Sequence, residues 1–317
     1  MSKPRYQLIA ILLLLVAAAA SAAQAPFDPH PLMAKAGPAQ TAPYTFAVFG
    51  DSYANAELPP LLKMVDAKEP TFVVTVGDMV SYGTDPRAWD RLRDRGGPFM
   101  RKYPTWPVIG NHELGSRRAG AKAFESFYGL PSGNYTFVFR RSKFIVLGHG
   151  GATPEDQIAF LRKELEDRKD YEHVFVFRHN PFYTVGDKNP GEVPNHPTEE
   201  TELFTRARVT AVFCGHDHSY YRTLRDGTTY IIAGHAGAGL YPLRRLDEGL
   251  PGDAYMGINH DDTAYILHVP GQADRRVRRS RSQLHDWVFA VFVRVNGAKV
   301  TVETIGESGE VWDRFEL

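Results

Sequence analysis

Three apolar runs that each stop at a glycine constrain this chain more than any other feature: TFAVFG at 45–50, TFVVTVG at 71–77 and TWPVIG at 105–110. They are continuously apolar rather than alternating, the pattern of strands buried on both faces. Helical stretches near 57–68 and 86–101 separate them. YTFVFR and KFIVLG within 135–148 read as a β-hairpin, followed by a helix at 154–170 and two more apolar runs, HVFVFRH (173–179) and VTAVFCG (209–215). Strands alternating with helices predict an α/β domain whose sheet is covered on both sides. Beyond Tyr220 the runs at 227–241, 285–297, 298–306 and 310–317 alternate polar and apolar residues, and are expected to complete a second sheet of the same domain. The domain is expected over 44–317, with an insertion at 247–284 that carries the arginine-rich stretch ADRRVRRSRSQ (273–283). That stretch reads first as a solvated loop, with a clamp for an acidic substrate or polymer as the alternative. Residues 26–43, rich in Pro and Ala and without a period, read as a flexible leader.

The first 25 residues have three parts: a start carrying Lys3 and Arg5, the apolar run LIAILLLLVAAAA, and the small-residue end SAAQA. This is the pattern of a secretory signal peptide, cleaved after Ala25 or Ala23, and it predicts a secreted, periplasmic protein with no membrane anchor after cleavage. An uncleaved anchor is the competing reading, against which the run is short and fades into alanine. The whole chain has 37 basic and 37 acidic residues, and loss of Lys3 and Arg5 leaves 35 − 37 = −2. That balance, with no sustained basic-aromatic stripe, speaks against a nucleic acid polymer as partner. Cys214 is the only cysteine, so no internal disulfide can form.

Five short polar stretches stand where apolar runs end: GDSY (50–53), GDMV (77–80), GNHE (110–113), RHNP (178–181) and GHDH (215–218). Singly, each has a bland explanation. Gly-Asp is a favourable turn, Asn111 tolerates a left-handed conformation, and a lone His179 is more often a core histidine than a ligand. Together they weigh differently. The carboxyl ends of strands in an open α/β sheet line one crevice, so these stretches converge there. Their Asp, Asn and His side chains form a mixed oxygen and nitrogen set that suits Zn, Mn or Fe, and no thiolate is at hand for a cysteine site. Two metal ions sharing a carboxylate would sit roughly 3.5–4 Å apart.

The order Asp, GD, GNHE, H-x-P and GHxH resembles the calcineurin-like metallophosphoesterases, the superfamily that contains the purple acid phosphatases. The resemblance covers about 44–241. It implies a four-layer α-β-β-α sandwich of two mixed sheets with a dinuclear metal site at the carboxyl ends of the strands. It implies Asp51 and His218 on a first metal, Asn111, His179 and His216 on a second, and Asp78 bridging both. His112 matches no ligand position; the resemblance places it beside the metals, as proton donor to the departing oxygen. Two cations would offset phosphoryl charge, lower the pKa of a shared water and align its attack.

Tyr53 departs from the pattern, because the broad superfamily has Asp-x-His where this chain reads Asp51-Ser52-Tyr53. Purple acid phosphatases also lack that histidine and take a tyrosine ligand three residues after the second Asp, which here is Ser81, with Tyr82 next. Three readings stay open for Tyr53: a tyrosinate ligand favouring ferric iron, a pocket residue touching substrate phosphate, or a weakened first site and a mononuclear enzyme. Tyr82 is a lesser candidate ligand, and His196 in the loop 182–197 a candidate substrate contact. His149 and His235, near turns, read first as structural. The expected activity is phosphomonoester hydrolysis, with two divalent or mixed-valence ions of Fe, Mn or Zn and a small phosphorylated substrate. Phosphodiester cleavage of cyclic nucleotides or lipid head groups is the alternative, and a non-catalytic binder of phosphorylated polymers the reading from another class.

Overall fold

The computed structural model describes residues 25–37, 41–115, 118–148, 153–186, 192–278 and 287–317. The signal-peptide run, His149 and the arginines at 279 and 281 lie outside the described residues. Fifteen strands and seven helices follow one another among the described residues. The strands are β1 (Tyr44–Phe49), β2 (Phe72–Thr75), β3 (Thr105–Pro107), β4 (Tyr135–Phe139) and β5 (Ser142–Leu147). Next come β6 (His173–Arg178), β7 (Ala211–Cys214), β8 (Tyr220–Arg225), β9 (Thr228–Ala233) and β10 (Ala254–Ile258). The last are β11 (Ala264–His268), β12 (Arg275–Arg278), β13 (Phe289–Asn296), β14 (Lys299–Gly306) and β15 (Val311–Glu316). The helices are α1 (His30–Met33), α2 (Leu58–Asp66), α3 (Pro86–Met100), α4 (Asn111–Leu114), α5 (Arg118–Tyr128), α6 (Pro154–Leu165) and α7 (Glu199–Ala207).

Two mixed sheets result, one of six strands in the order β15-β14-β13-β1-β2-β3 and one of nine in the order β12-β11-β10-β8-β9-β7-β6-β5-β4. The continuous apolar runs are the parallel strands: β1 beside β2 and β2 beside β3 in one sheet, β5 beside β6 and β6 beside β7 in the other. Alternate residues of each run serve two different layers. Phe46 points between the sheets, its ring 5.4 Å from Phe144 and 5.1 Å from Phe175. Fully burying each such ring is worth about 1.5–3 kcal/mol. On the far side of the nine-stranded sheet, Val174, Val176 and Val212 pack with Leu161 of α6 and Phe204 of α7. On the far side of the six-stranded sheet, Phe49 and Thr75 meet Leu58 and Leu62 of α2 and Leu92 and Phe99 of α3. Both faces of the central strands of each sheet are therefore covered, and the four layers follow.

Three expectations need correction. Residues 26–43 are not wholly an aperiodic leader: Phe27 is buried, its ring 4.7 Å from Phe127, and α1 follows. One aromatic anchor and a four-residue helix are too little to show as a period. The segment 247–284 is not a bare insertion, since β10, β11 and β12 extend the nine-stranded sheet, with Arg275, Arg276 and Arg278 on its edge strand. Strands of four or five residues leave only two or three inward positions, too few for alternation to be read. The strands beyond Tyr220 also divide between the sheets: β8 and β9 join the larger, while β13 pairs antiparallel with β1 and brings β14 and β15 to the smaller.

Candidate metal centre

Because β1, β2 and β3 run parallel, their carboxyl ends release Asp51, Asp78 and Asn111 at one edge. The parallel β6 and β7 release His179, His216 and His218 at the same edge of the facing sheet. The glycines that close the apolar runs serve close approach as well as turning. A Cβ on Gly110 would lie 2.2 Å from Asp78 Oδ1, and one on Gly77, whose φ is +95°, would lie 2.5 Å from His179 Nδ1. Four of the site residues take left-handed backbone themselves: Asp51 at φ 58°, Tyr53 at 51°, Asp78 at 54° and His216 at 68°.

The expected ligand atoms converge. Asp51, Asp78 and His179 each offer an atom within 4.8 Å of the others, and all three residues are buried. Around His179 Nε2 lie Asn111 Oδ1 at 2.9 Å, His216 Nδ1 at 3.3 Å and Asp78 Oδ2 at 3.4 Å. His216 Nδ1 is also 3.0 Å from Asn111 Oδ1. Nearby, His218 Nε2 stands 3.6 Å from Asp51 Oδ1. The outer nitrogens fix the rings. His179 Nδ1 donates to the Val76 carbonyl at 2.7 Å, His218 Nδ1 to the Gly239 carbonyl at 2.6 Å, and His216 Nε2 to Glu192 Oε2 at 2.9 Å. Each inner nitrogen is thereby the one turned toward a metal, available as a lone-pair donor once any proton on it is displaced.

Electrostatics give the fit test. Burial pushes the Asp51 carboxyl well above its ordinary range. Burial acts the same way on Asp78, but His179 and His112 outweigh it and hold that carboxyl low. Burial would depress His179, yet Asp78 and Asp51 pull it up to about 10. In the metal-free chain a buried imidazolium at His179 thus stands between the Asp78 carboxylate and the Asp51 carboxyl group. Neither aspartate has a lysine or arginine ion-pair partner among the described residues; their close partners are histidines. Acceptor atoms packed against one another around a displaceable proton are what divalent cations stabilise, so the residues present fit a dinuclear centre.

His112 stands beside this cluster and outside it. Its Nδ1 donates to the Ser81 carbonyl at 2.7 Å, and its backbone N–H donates to Asp78 Oδ1 at 2.8 Å. Its Nε2 faces inward, 3.8 Å from Asp78 Oδ2 and 3.1 Å from the Tyr53 hydroxyl. That hydroxyl also lies 3.2 Å from His218 Nε2, so the structure brings Tyr53 into the site. Burial, with Asp78 and Asp51 nearby, pushes the Tyr53 phenol far above its ordinary value and keeps it neutral in the metal-free chain.

Sequence reasoning gave no role to Tyr241, Glu113 and Glu192. Tyr241 stacks on His218 with ring centroids 4.0 Å apart and brings its hydroxyl within 3.3 Å of Nε2. Glu113 is buried and accepts backbone N–H bonds from Asp78, Met79, Val80 and Gly110. An acid inside a motif at the end of an apolar run was the available signal for Glu113. Two other candidates are not brought in. Tyr82 is half exposed, near Gly115, because the turn that gives the Ser81 carbonyl to His112 sends the next side chain outward. His196 is exposed, with Nδ1 3.0 Å from the Pro197 carbonyl. His235 is buried beneath the site as a neutral imidazole, its pKa pushed down to about 3.

The pattern of the calcineurin-like phosphoesterases matches residues 44–220, more than half of the chain. The chain belongs to the calcineurin-like phosphoesterase family. Among its relatives are purple acid phosphatase 22 of Arabidopsis thaliana, 26% identical over 204 residues, covering 59% of this chain and 47% of that one. Another is the Fe(3+)-Zn(2+) purple acid phosphatase 12 of the same plant, 28% identical over 217 residues, covering 60% and 45%. The chain thus spans about half the length of the curated relatives it matches. Its fold is similar to purple acid phosphatase PPD1 of yellow lupin (Lupinus luteus), with a TM-score of 0.64 at 16% identity, covering 88% of this chain and 54% of that one. It is similar also to GAP50, the anchor in the inner membrane complex of Plasmodium, with a TM-score of 0.58 at 14% identity over 87% and 88% of the two chains.

Proposed function

We propose that this phosphoesterase is a secreted hydrolase of phosphomonoesters that works with two metal ions. The observation that carries the reading is the convergence of Asp51, Asp78 and His179, with Asn111, His216 and His218 around them and His112 Nε2 facing the same space. Asp51 and His218 would hold one ion, Asn111, His179 and His216 the other, and Asp78 both. Bound there, two cations offset the charge of a phosphoryl group and activate water for attack.

The remaining chemistry belongs to the chain. His112, tethered at Nδ1 by the Ser81 carbonyl, presents Nε2 to give a proton to the departing alcohol, a role worth on the order of 10²–10⁴ in rate. Tyr53, a neutral phenol beside His112, donates a hydrogen bond to a phosphate oxygen. Lys3, Arg5, the apolar run after them and SAAQA support export from the cytoplasm.

The test is metal content per chain together with turnover of paired chromogenic monoester and diester substrates. Two equivalents and faster monoester hydrolysis are expected. Diester turnover alone would overturn the monoester assignment, and no uptake of Zn, Mn or Fe would overturn the catalytic reading. A visible charge-transfer band on adding ferric iron, lost in Tyr53→Phe, would make Tyr53 a ligand rather than a substrate contact.

A further inference from the structure

We infer that Glu192 is a positioning residue for the second metal, completing a carboxylate–histidine–metal relay through His216. The inference rests on the proposed metal centre. His216 stands with Nδ1 toward Asn111 Oδ1 at 3.0 Å and His179 Nε2 at 3.3 Å. Its other nitrogen lies 2.9 Å from Glu192 Oε2. An imidazole can turn about its Cβ–Cγ bond, and only one orientation aims Nδ1 at the other two donors. The carboxylate selects that orientation, keeps the proton on Nε2, and makes Nδ1 a stronger electron donor.

The loop is built to present Glu192. The next residue, Val193, is buried against the core, and Asn195 stands in left-handed backbone at φ 52°. Asn195 Oδ1 accepts from the Thr184 N–H at 2.7 Å, while Nδ2 donates to the Thr184 carbonyl at 2.8 Å and to Glu248 Oε2 at 2.7 Å. Its own N–H donates to the Phe182 carbonyl at 3.2 Å. Phe182 and Thr184 follow His179 on the same strand exit, so one ligand's strand holds the loop that steers another ligand. Glu192 itself is half exposed.

The experiment is chelator competition with the metal-free chain, using Zn2+ and Mn2+ as probes, on wild type, E192A and E192Q. E192A is expected to bind one of the two equivalents about 10–100-fold more weakly, the usual cost of losing such a partner, with the other equivalent unchanged. E192Q, which can accept from Nε2 but lacks the charge, is expected to fall between. Thermal melting of the metal-free chains is expected to coincide for all three. Wild-type affinity at both sites in E192A overturns the inference alone. So does a loss matched by destabilisation of the metal-free fold, which would make Glu192 a structural residue. A wild-type chain that takes up no metal overturns the metal centre and the inference together.

Discussion

Glu113→Gln should damage the centre without touching a metal ligand. Glu113 Oε1 accepts from the N–H groups of Met79 at 2.6 Å and Val80 at 3.1 Å, and Oε2 from those of Asp78 at 2.7 Å and Gly110 at 2.8 Å. One side chain thus ties the turn that presents Asp78 to the turn that presents Asn111 and His112. Glutamine keeps one acceptor oxygen and turns an NH2 toward the other two N–H groups. Two orphaned buried donors cost roughly 1–3 kcal/mol each, so the metal-loaded protein should lose about 2–6 kcal/mol. The same change frees the backbone of Asp78, and a shift of about 1 Å in a catalytic group costs on the order of 10²-fold in rate. Urea denaturation of the metal-loaded protein and kcat/KM on a chromogenic phosphomonoester read the two effects. A variant within about 0.5 kcal/mol of wild type and equally active would refute the assignment of Glu113 as the clamp between motifs.

Other outcomes follow from the same geometry. The metal-free protein should lose stability as pH rises from about 5 to about 8, because Glu113 is pushed up to about 7 by burial and Asp78, and Asp51 is also raised. Groups with raised folded-state values contribute below their unfolded values and lose that contribution as pH climbs through the folded ones; thermal melts with and without Zn2+ should show the slope and its removal. His235→Leu should flatten the acid side of the stability curve, because a histidine held at about 3 costs the fold about 1.4 kcal/mol per pH unit below 6.5. The wild-type minus variant difference across pH 4.5–6.5 reads this apart from the carboxylates. Tyr82→Phe should leave metal content unchanged and activity within about twofold, since the ring is half exposed away from the ligands; loss of a metal equivalent would return Tyr82 to the site.

The parallel core was legible because double-sided burial writes itself as uninterrupted apolar runs, and β1, β2, β6 and β7 all lie inside runs read from sequence. The edge strands β10 to β12 were not, since a strand with few buried positions differs little from a loop in composition. The polar residues that converge at the centre were legible for a related reason. Parallel strands place their carboxyl ends together, so a polar motif after each run converges without further assumption. What stayed hidden was what holds those residues. Glu113, Tyr241 and Glu192 act through distances that only the fold creates, and nothing in their local sequence marks a partner 34, 23 or 24 residues away.

The left-handed backbone of Asp51, Asp78 and His216 explains why such partners are needed. Each non-glycine residue held there carries strain of order 1–3 kcal/mol, toward the low end for aspartate, and relaxes unless neighbours forbid it. Here the neighbours are other motifs. The Asp51 N–H donates to the Gly77 carbonyl at 2.9 Å, the Tyr53 N–H to the Asp78 carbonyl at 3.0 Å, and the His216 N–H to the Asp51 carboxylate at 3.0 Å. Ala238 N–H closes the ring onto the Asp51 carbonyl at 2.8 Å, which leaves it committed elsewhere although it borders the buried His235 imidazole. Every motif is therefore fixed by a motif from another strand, and none could hold its ligand geometry alone. The centre is a property of the two-sheet edge as a whole, so loosening one turn should be felt at ligands carried by the others.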